Sequence, residues 1–201
     1  MKPDWLAVPA APDGCERGGR IDRVRVVLVG TSLSCGDGIL HGLPAYADLE
    51  IERLDLGRNG RCGVVFDKHR LDVALSAGRH AVERASLAHC GLLIGVGQGG
   101  RKAGREQPVG ILDDPYDALR RWGDGELAAL VGMVIAGAQI GVPVRLGGVN
   151  ASLAARVAMA LHPDVADWLS VIPLRRFSPA HRCADERSSR RSRRRAECVR
   201  L

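Results

Sequence analysis

From Glu126 to Ile140 the chain is apolar on nearly every face, broken only by small residues and Gln139. A helix without a polar face must be buried on all sides, and this one falls short of the roughly 20 apolar residues needed to cross a bilayer. Gly132, Ala136, Gly137 and Gly141 recur at helical spacing, so a neighbouring backbone can pack closely against them, and Gly141 suits the left-handed residue that ends a helix. Val142 to Leu146 then reads as a short strand that delivers Gly147 and Gly148 to its carboxyl end. Asn150 is placed to cap a following helix, Ala151 to Leu161, which His162-Pro163 stops. Helix, strand, glycine turn and helix in this order make a unit of an α/β layer protein.

Upstream the apolar positions fall into strands alternating with a helix. Val24 to Gly30 is a strand running into the small-residue turn Thr31 to Gly38, and Leu49 to Leu56 is a second strand, alternating at first and apolar at its end. Asn59-Gly60 marks a turn. Asp67 can cap a helix to about Ala88 whose apolar face is Leu71, Ala74, Leu75, Gly78, Val82 and Ala85, and Cys90 to Gly100 follows as a strand plus glycine loop. The pattern predicts an open, mostly parallel sheet flanked by helices, a Rossmann-like three-layer α/β fold over residues 21–174. Residues 1–20, rich in proline and glycine and without periodicity, read as a loose arm.

Charge changes the picture at one end only. The net charge is +6, yet residues 175–201 hold ten arginines against Asp185, Glu186 and Glu197, which leaves 19 basic and 20 acidic residues in the rest. A block of this kind cannot bury enough apolar surface to order itself, so a disordered basic tail is expected. Phe177 is its sole aromatic, which leaves only salt-sensitive, non-specific attraction to nucleic acid. The six cysteines lie far apart with no Cys-x-x-Cys pair, and the six histidines lack metal spacing; free thiols and no metal site are expected. No stretch has the form of a secretory signal or a membrane span, which points to the cytoplasm.

Several segments resemble, in order and nearly without gaps, one enzyme family. Asp114-Pro-Tyr-Asp-Ala-Leu-Arg-Arg-Trp-Gly123, Glu126-Leu-Ala-Ala-Leu-Val-Gly132, Val142-Pro-Val-Arg-Leu-Gly-Gly148 and Pro163-Asp-Val-Ala-Asp-Trp-Leu169 are similar to the nicotinate-nucleotide–dimethylbenzimidazole phosphoribosyltransferases. These enzymes make the lower-ligand nucleotide of cobalamin. Leu54-Asp-Leu-Gly57 and the helix–strand order around Ala74, Gly78 and Leu92-Leu93 extend the likeness upstream. The chain also departs from the family. Gly147-Gly148-Val149 stands where Asp-Gly-Phe is usual, and Gly95-Val-Gly-Gln-Gly-Gly100 stands where a Gly-Ile-Gly-Asn-Thr-Thr phosphate loop belongs, without the preceding Glu-Met. Only residues 101–113 stand where the family has a longer segment. After Val171 neither the His-x-Ser-x-Glu turn nor the glutamate-bearing glycine stretch follows, a change that a shifted reading frame or a truncation would produce. The chain thus reads as a shortened or degenerate member.

The resemblance implies transfer of phosphoribose from nicotinate mononucleotide to 5,6-dimethylbenzimidazole or a similar azole base, with no cofactor and a homodimeric state. Such a reaction needs donors for a 5′-phosphate, an apolar slot for a flat base and a carboxylate to take the azole proton. Gly95, Gly97, Gln98, Gly99 and Gly100, with Gly147 and Gly148, are the expected phosphate and nucleotide contacts, because ligands of open α/β sheets lie at the carboxyl ends of the strands. Arg101, Lys102 and Arg105 can add cations there or simply form a solvated basic loop. No catalytic base stands out. Glu126 fits the preference of helix N-termini for acids, Asp113 and Asp114 precede Pro115 as caps would, and Asp37 has no evident partner. Two rivals remain open. A non-catalytic relative would bind the nucleotide or base, or would pair with a subunit that supplies the glutamate. An NAD(P)-binding oxidoreductase would use Gly95-x-Gly97-x-x-Gly100 as a dinucleotide fingerprint, which requires a helix to open at the third glycine.

Overall fold

In the computed structural model the described residues are 21–30, 48–56, 67–97, 114–122 and 124–172. They form a five-stranded parallel sheet in the order β2-β1-β3-β4-β5. The strands are β1 (Arg23–Val29), β2 (Asp48–Leu54), β3 (Leu92–Gly97), β4 (Val144–Gly148) and β5 (Leu169–Val171). The helices are α1 (Lys68–Leu87), α2 (Pro115–Trp122), α3 (Gly125–Ile140) and α4 (Ala151–Leu161), with a 3-10 turn at Pro163–Trp168. Because β1 is continued by β2 on one side and β3 by β4 on the other, the strand order reverses between β1 and β3. The arm (1–20), the turn 31–38, Gln98 to Asp113 and the tail (175–201) lie outside the described residues.

Strand alternation sorts the core into two clusters. Val27, Val29, Leu93, Val144 and Leu146 meet the helices, while Val24, Val26, Leu28, Leu92, Ile94 and Val96 form a second buried cluster on the opposite face. β3 is buried at every residue, as a strand covered on both faces should be. Its helix-facing positions are Leu93, Gly95 and Gly97, so α3 can settle close to the sheet.

Helix α3 is buried from Gly125 through Val134 and again at Ala136 and Gly137, as its lack of a polar face requires. Asp124 caps it by accepting the Leu127 N–H at 2.9 Å, and Gly141 closes it at φ 80°. Against it lies α1, whose buried stripe is Leu71, Ala74, Gly78, Ala81, Val82 and Ala85; the expected face thus gains Ala81, and Leu75 is half-buried. The two helices touch backbone to backbone. A Cβ on Gly132 would overlap the Leu75 carbonyl, and one on Gly78 would overlap the Ala129 carbonyl. Asp67 occupies the N-cap position of α1 without a side-chain cap bond, whereas Asp114 does cap α2 through the Asp117 N–H at 2.9 Å.

The outer strand β2 is polar and protected. Arg23 stands opposite Asp48 and Arg25 opposite Glu50; Arg23 Nε donates to Asp48 at 3.0 Å and Arg25 Nε to Glu50 at 3.0 Å. Such cross-strand pairs fix register, and charges on an edge discourage pairing with another chain. Cys90, buried beside Arg25, is a free thiol, and burial pushes its pKa up. Site-resolved alkylation should therefore find Cys90 protected at neutral pH in the folded chain and modified once urea unfolds it; equal labelling in both states would contradict its burial. By linkage, the thiol's contribution is present below the unfolded thiol pKa and lost as pH rises through the higher folded value.

Candidate functional site

The carboxyl ends of β3 and β4 lie side by side. Gly97 is registered with Gly148 and Val96 with Gly147, so these glycines meet at the carboxyl end of the sheet. Gly148 adopts φ 93°, and a Cβ there would overlap the Gly97 carbonyl oxygen. Only glycine fits that backbone and that distance. Gln98, Gly99, Gly100, Arg101, Lys102, Arg105, Asp113 and Asp37 lie outside the described residues.

Gly95 has a different surrounding. It lies within β3, registered with Val27 and Leu146, and the side where a Cβ would stand is filled by Met133, Leu146 and Leu130. Its bareness admits α3. A dinucleotide fingerprint sets its first glycine in the tight turn after the strand. Here both Gly95 and Gly97 belong to the strand itself, so the spacing Gly95-x-Gly97-x-x-Gly100 does not have the fingerprint's geometry.

The polar centre of this edge comes from a residue pair that the sequence does not link. Glu126, in the first turn of α3, turns its carboxylate onto Gly97, where any Cβ would overlap Oε1. Asn150, at the start of α4, donates its Nδ2 to that same Oε1 at 2.8 Å. Glu126 is 4% exposed and Asn150 8%. Asn150 was expected to cap α4. It occupies the N-cap position with αR backbone angles, not the extended ones typical of a cap, and makes no side-chain cap bond; its Nδ2 goes to the carboxylate instead. A missing cap costs about 1 kcal/mol, while a carboxylate buried without hydrogen bonds costs several, so the pair satisfies the larger demand. Glu126 in turn is more than an acid suited to a helix end. The sequence holds one hint of this: a glycine at the helix-facing end of β3 leaves space that some side chain must fill.

A second buried charge, Arg145 at 5% exposed, follows Val144 on β4 and by alternation points to the sheet's other face. Burial lowers its pKa. Among the described residues no group of His, Cys, Asp and Glu could hold a metal ion, and no helix is long and apolar enough to cross a membrane.

Comparison with known proteins agrees with this geometry. A family model described as phosphoribosyltransferase matches residues 101–187. A Xanthomonas oryzae pv. oryzae protein named nicotinate-nucleotide–dimethylbenzimidazole phosphoribosyltransferase is 53% identical over 55 residues, 27% of this chain and 16% of that protein. One of the same name from Azotobacter vinelandii is 31% identical over 148 residues, 54% of this chain and 42% of that one. The match thus spans less than half of these curated relatives. Two solved structures from Thermus thermophilus share the fold. One, titled CobT, has a TM-score of 0.56 at 19% identity, covering 79% of this chain and 72% of its own. The other, titled as the same phosphoribosyltransferase, has a TM-score of 0.55 at 18% identity, covering 74% and 68%. In the order of its motifs the chain is similar to the nicotinate-nucleotide–dimethylbenzimidazole phosphoribosyltransferases, and it shares their fold.

Proposed function

We propose that this chain binds nicotinate mononucleotide and transfers its phosphoribosyl group to 5,6-dimethylbenzimidazole or a related azole. The observation that carries the reading is the registration of Gly97 with Gly148 at adjacent parallel strand ends, which sets two side-chain-free corners where α/β sheets hold their ligands. Gly97 to Gly100, Gly147 and Gly148 are the proposed contacts to the sugar phosphate; Gly95, packed under α3, supports them. In the reaction the bond from C1′ to the pyridinium nitrogen breaks and its electron pair returns to nicotinate. An azole nitrogen lone pair forms the new bond to C1′, and the azole N–H proton is released.

A second reading, in which the chain binds the mononucleotide without turnover, is favoured by its departure from the family pattern at the carboxyl end of β4, where Gly147-Gly148-Val149 stands in place of Asp-Gly-Phe. Calorimetric titration with nicotinate mononucleotide, followed by an assay for nicotinate release on adding the benzimidazole, separates the two. Binding with release supports transfer, and binding without release supports the second reading. If the mononucleotide does not bind at all, both fall.

A further inference from the structure

The turn that leaves β4 is held by a ring of contacts, not by the sheet alone. Strand pairing ends where Gly97 meets Gly148, and Val149 and Asn150 lie beyond it, before α4 begins. So short a connection outside the ladder is ordinarily set by its own backbone angles. Here it is tied on both sides. Gly148, at φ 93°, sits so close to the Gly97 carbonyl oxygen that a Cβ would overlap it. Asn150 Nδ2 donates to Glu126 Oε1 at 2.8 Å. Glu126 is itself confined: its carboxylate fills the space over Gly97, and it stands in the first turn of α3, which Asp124 caps. The ring therefore closes from Gly97 through Glu126, Asn150 and Gly148 back to Gly97.

Two features show what the ring secures. Glu126 and Asn150 are both buried, so water does not compete for their bond, while Val149 between the anchored residues is 48% exposed. The turn thus buries no large apolar side chain of its own. Buried polar groups that satisfy one another fix a geometry more than they add net stability. What is fixed here is the backbone that carries Gly147 and Gly148 past the end of β3.

We propose that Glu126 and Asn150 are positioning residues, whose hydrogen bond holds the Gly148–Asn150 turn in the shape that receives the mononucleotide. Neither acts on the ligand through its charge. The proposal rests on the transferase reading for its ligand, but not on turnover. A site ordered in advance spares the ligand the cost of ordering it. Without the bond that cost falls on binding, and the affinity drops by about tenfold, equivalent to about 1.4 kcal/mol, the scale of one residue's backbone freedom.

The test is calorimetric titration of nicotinate mononucleotide into the wild type and three variants. Asn150→Leu removes the bond and leaves the formal charge unchanged. The double exchange Glu126→Gln with Asn150→Asp swaps donor and acceptor, so the bond can form again at the same formal charge. Val82→Ala, buried on α1 outside the ring, lowers stability alone. The expected result is an affinity about tenfold weaker for Asn150→Leu, wild-type affinity for the double exchange, and wild-type affinity for Val82→Ala despite its lower unfolding midpoint. Wild-type affinity in Asn150→Leu overturns the proposal. So does a double exchange that binds as weakly as the single variant, or an equal loss in Val82→Ala, which would trace the effect to stability. If Asn150→Leu does not fold, the double exchange still decides, since it must bind as the wild type does. Failure of the wild type to bind the mononucleotide overturns the transferase reading and this proposal together, whereas the other adverse outcomes leave that reading standing.

Discussion

Gly132→Ala lowers the thermal unfolding midpoint by about 4–8 °C, as followed by circular dichroism at 222 nm. The new methyl group would occupy the position of the Leu75 carbonyl oxygen on α1. That neighbour is backbone inside a helix and cannot swing aside, so the two helices must separate. Overpacking of this kind costs about 1–3 kcal/mol and occasionally more, and for a chain of this length each kcal/mol shifts the midpoint by about 2–4 °C. The overlap with rigid backbone argues for the upper end of that range, and alanine's better helix propensity returns about 1 kcal/mol, leaving a net loss of about 2 kcal/mol. Gly78→Ala, clashing with Ala129 from the other side, should act in the same direction. The double variant should cost less than the two combined, because one separation of the helices relieves both. A midpoint within about 2 °C of wild type for Gly132→Ala, less than one kcal/mol would produce, would show that α1 and α3 do not meet as described.

Gly97→Ala has the second large effect, and it joins stability to binding. A methyl group there displaces the Glu126 carboxylate and presses on Leu130. Glu126 cannot move without releasing the Asn150 Nδ2 that it holds at 2.8 Å, and a hydrogen bond to a charged group contributes about 1.5–3 kcal/mol. The expected outcome is a loss of about 2–4 kcal/mol in urea unfolding, with mononucleotide binding abolished under the proposed function. Unaltered stability together with unaltered binding would mean that this strand end is neither packed nor used as described. Gly97→Ser is a poor rescue, since its Cβ meets the same atoms.

These two glycines illustrate what the sequence discloses and what it withholds. The buried helix was legible from its want of any polar face, and its end from Gly141, because both follow from burial and backbone sterics alone. The stripe on α1 was legible from its spacing. A glycine, by contrast, signals either an exposed backbone donor or the close approach of a neighbour, and tertiary contacts decide between them. Gly95 carries α3 over it, although its run reads as a phosphate loop. Asn150 obeys the local rule for a cap in its position but not in its bond, and its Nδ2 turns to Glu126, 24 residues earlier. No local pattern joins those two residues. The pairing of β1 with β2 shows the same limit. Arg23 with Asp48 and Arg25 with Glu50 set the register once seen together, yet many other alignments of charged residues would have satisfied the sequence.

The absence of a wet side on α3 also governs how this protein can be divided. Residues 125–137 are shielded by α1, by the sheet and by α4 together, and these shields come from both halves of the chain. A fragment that ends after β3, or one that begins at α2, would leave a long apolar surface open to solvent and would be expected to aggregate. Splitting for complementation must therefore keep α3 together with α1, α4 and the sheet, β1 included.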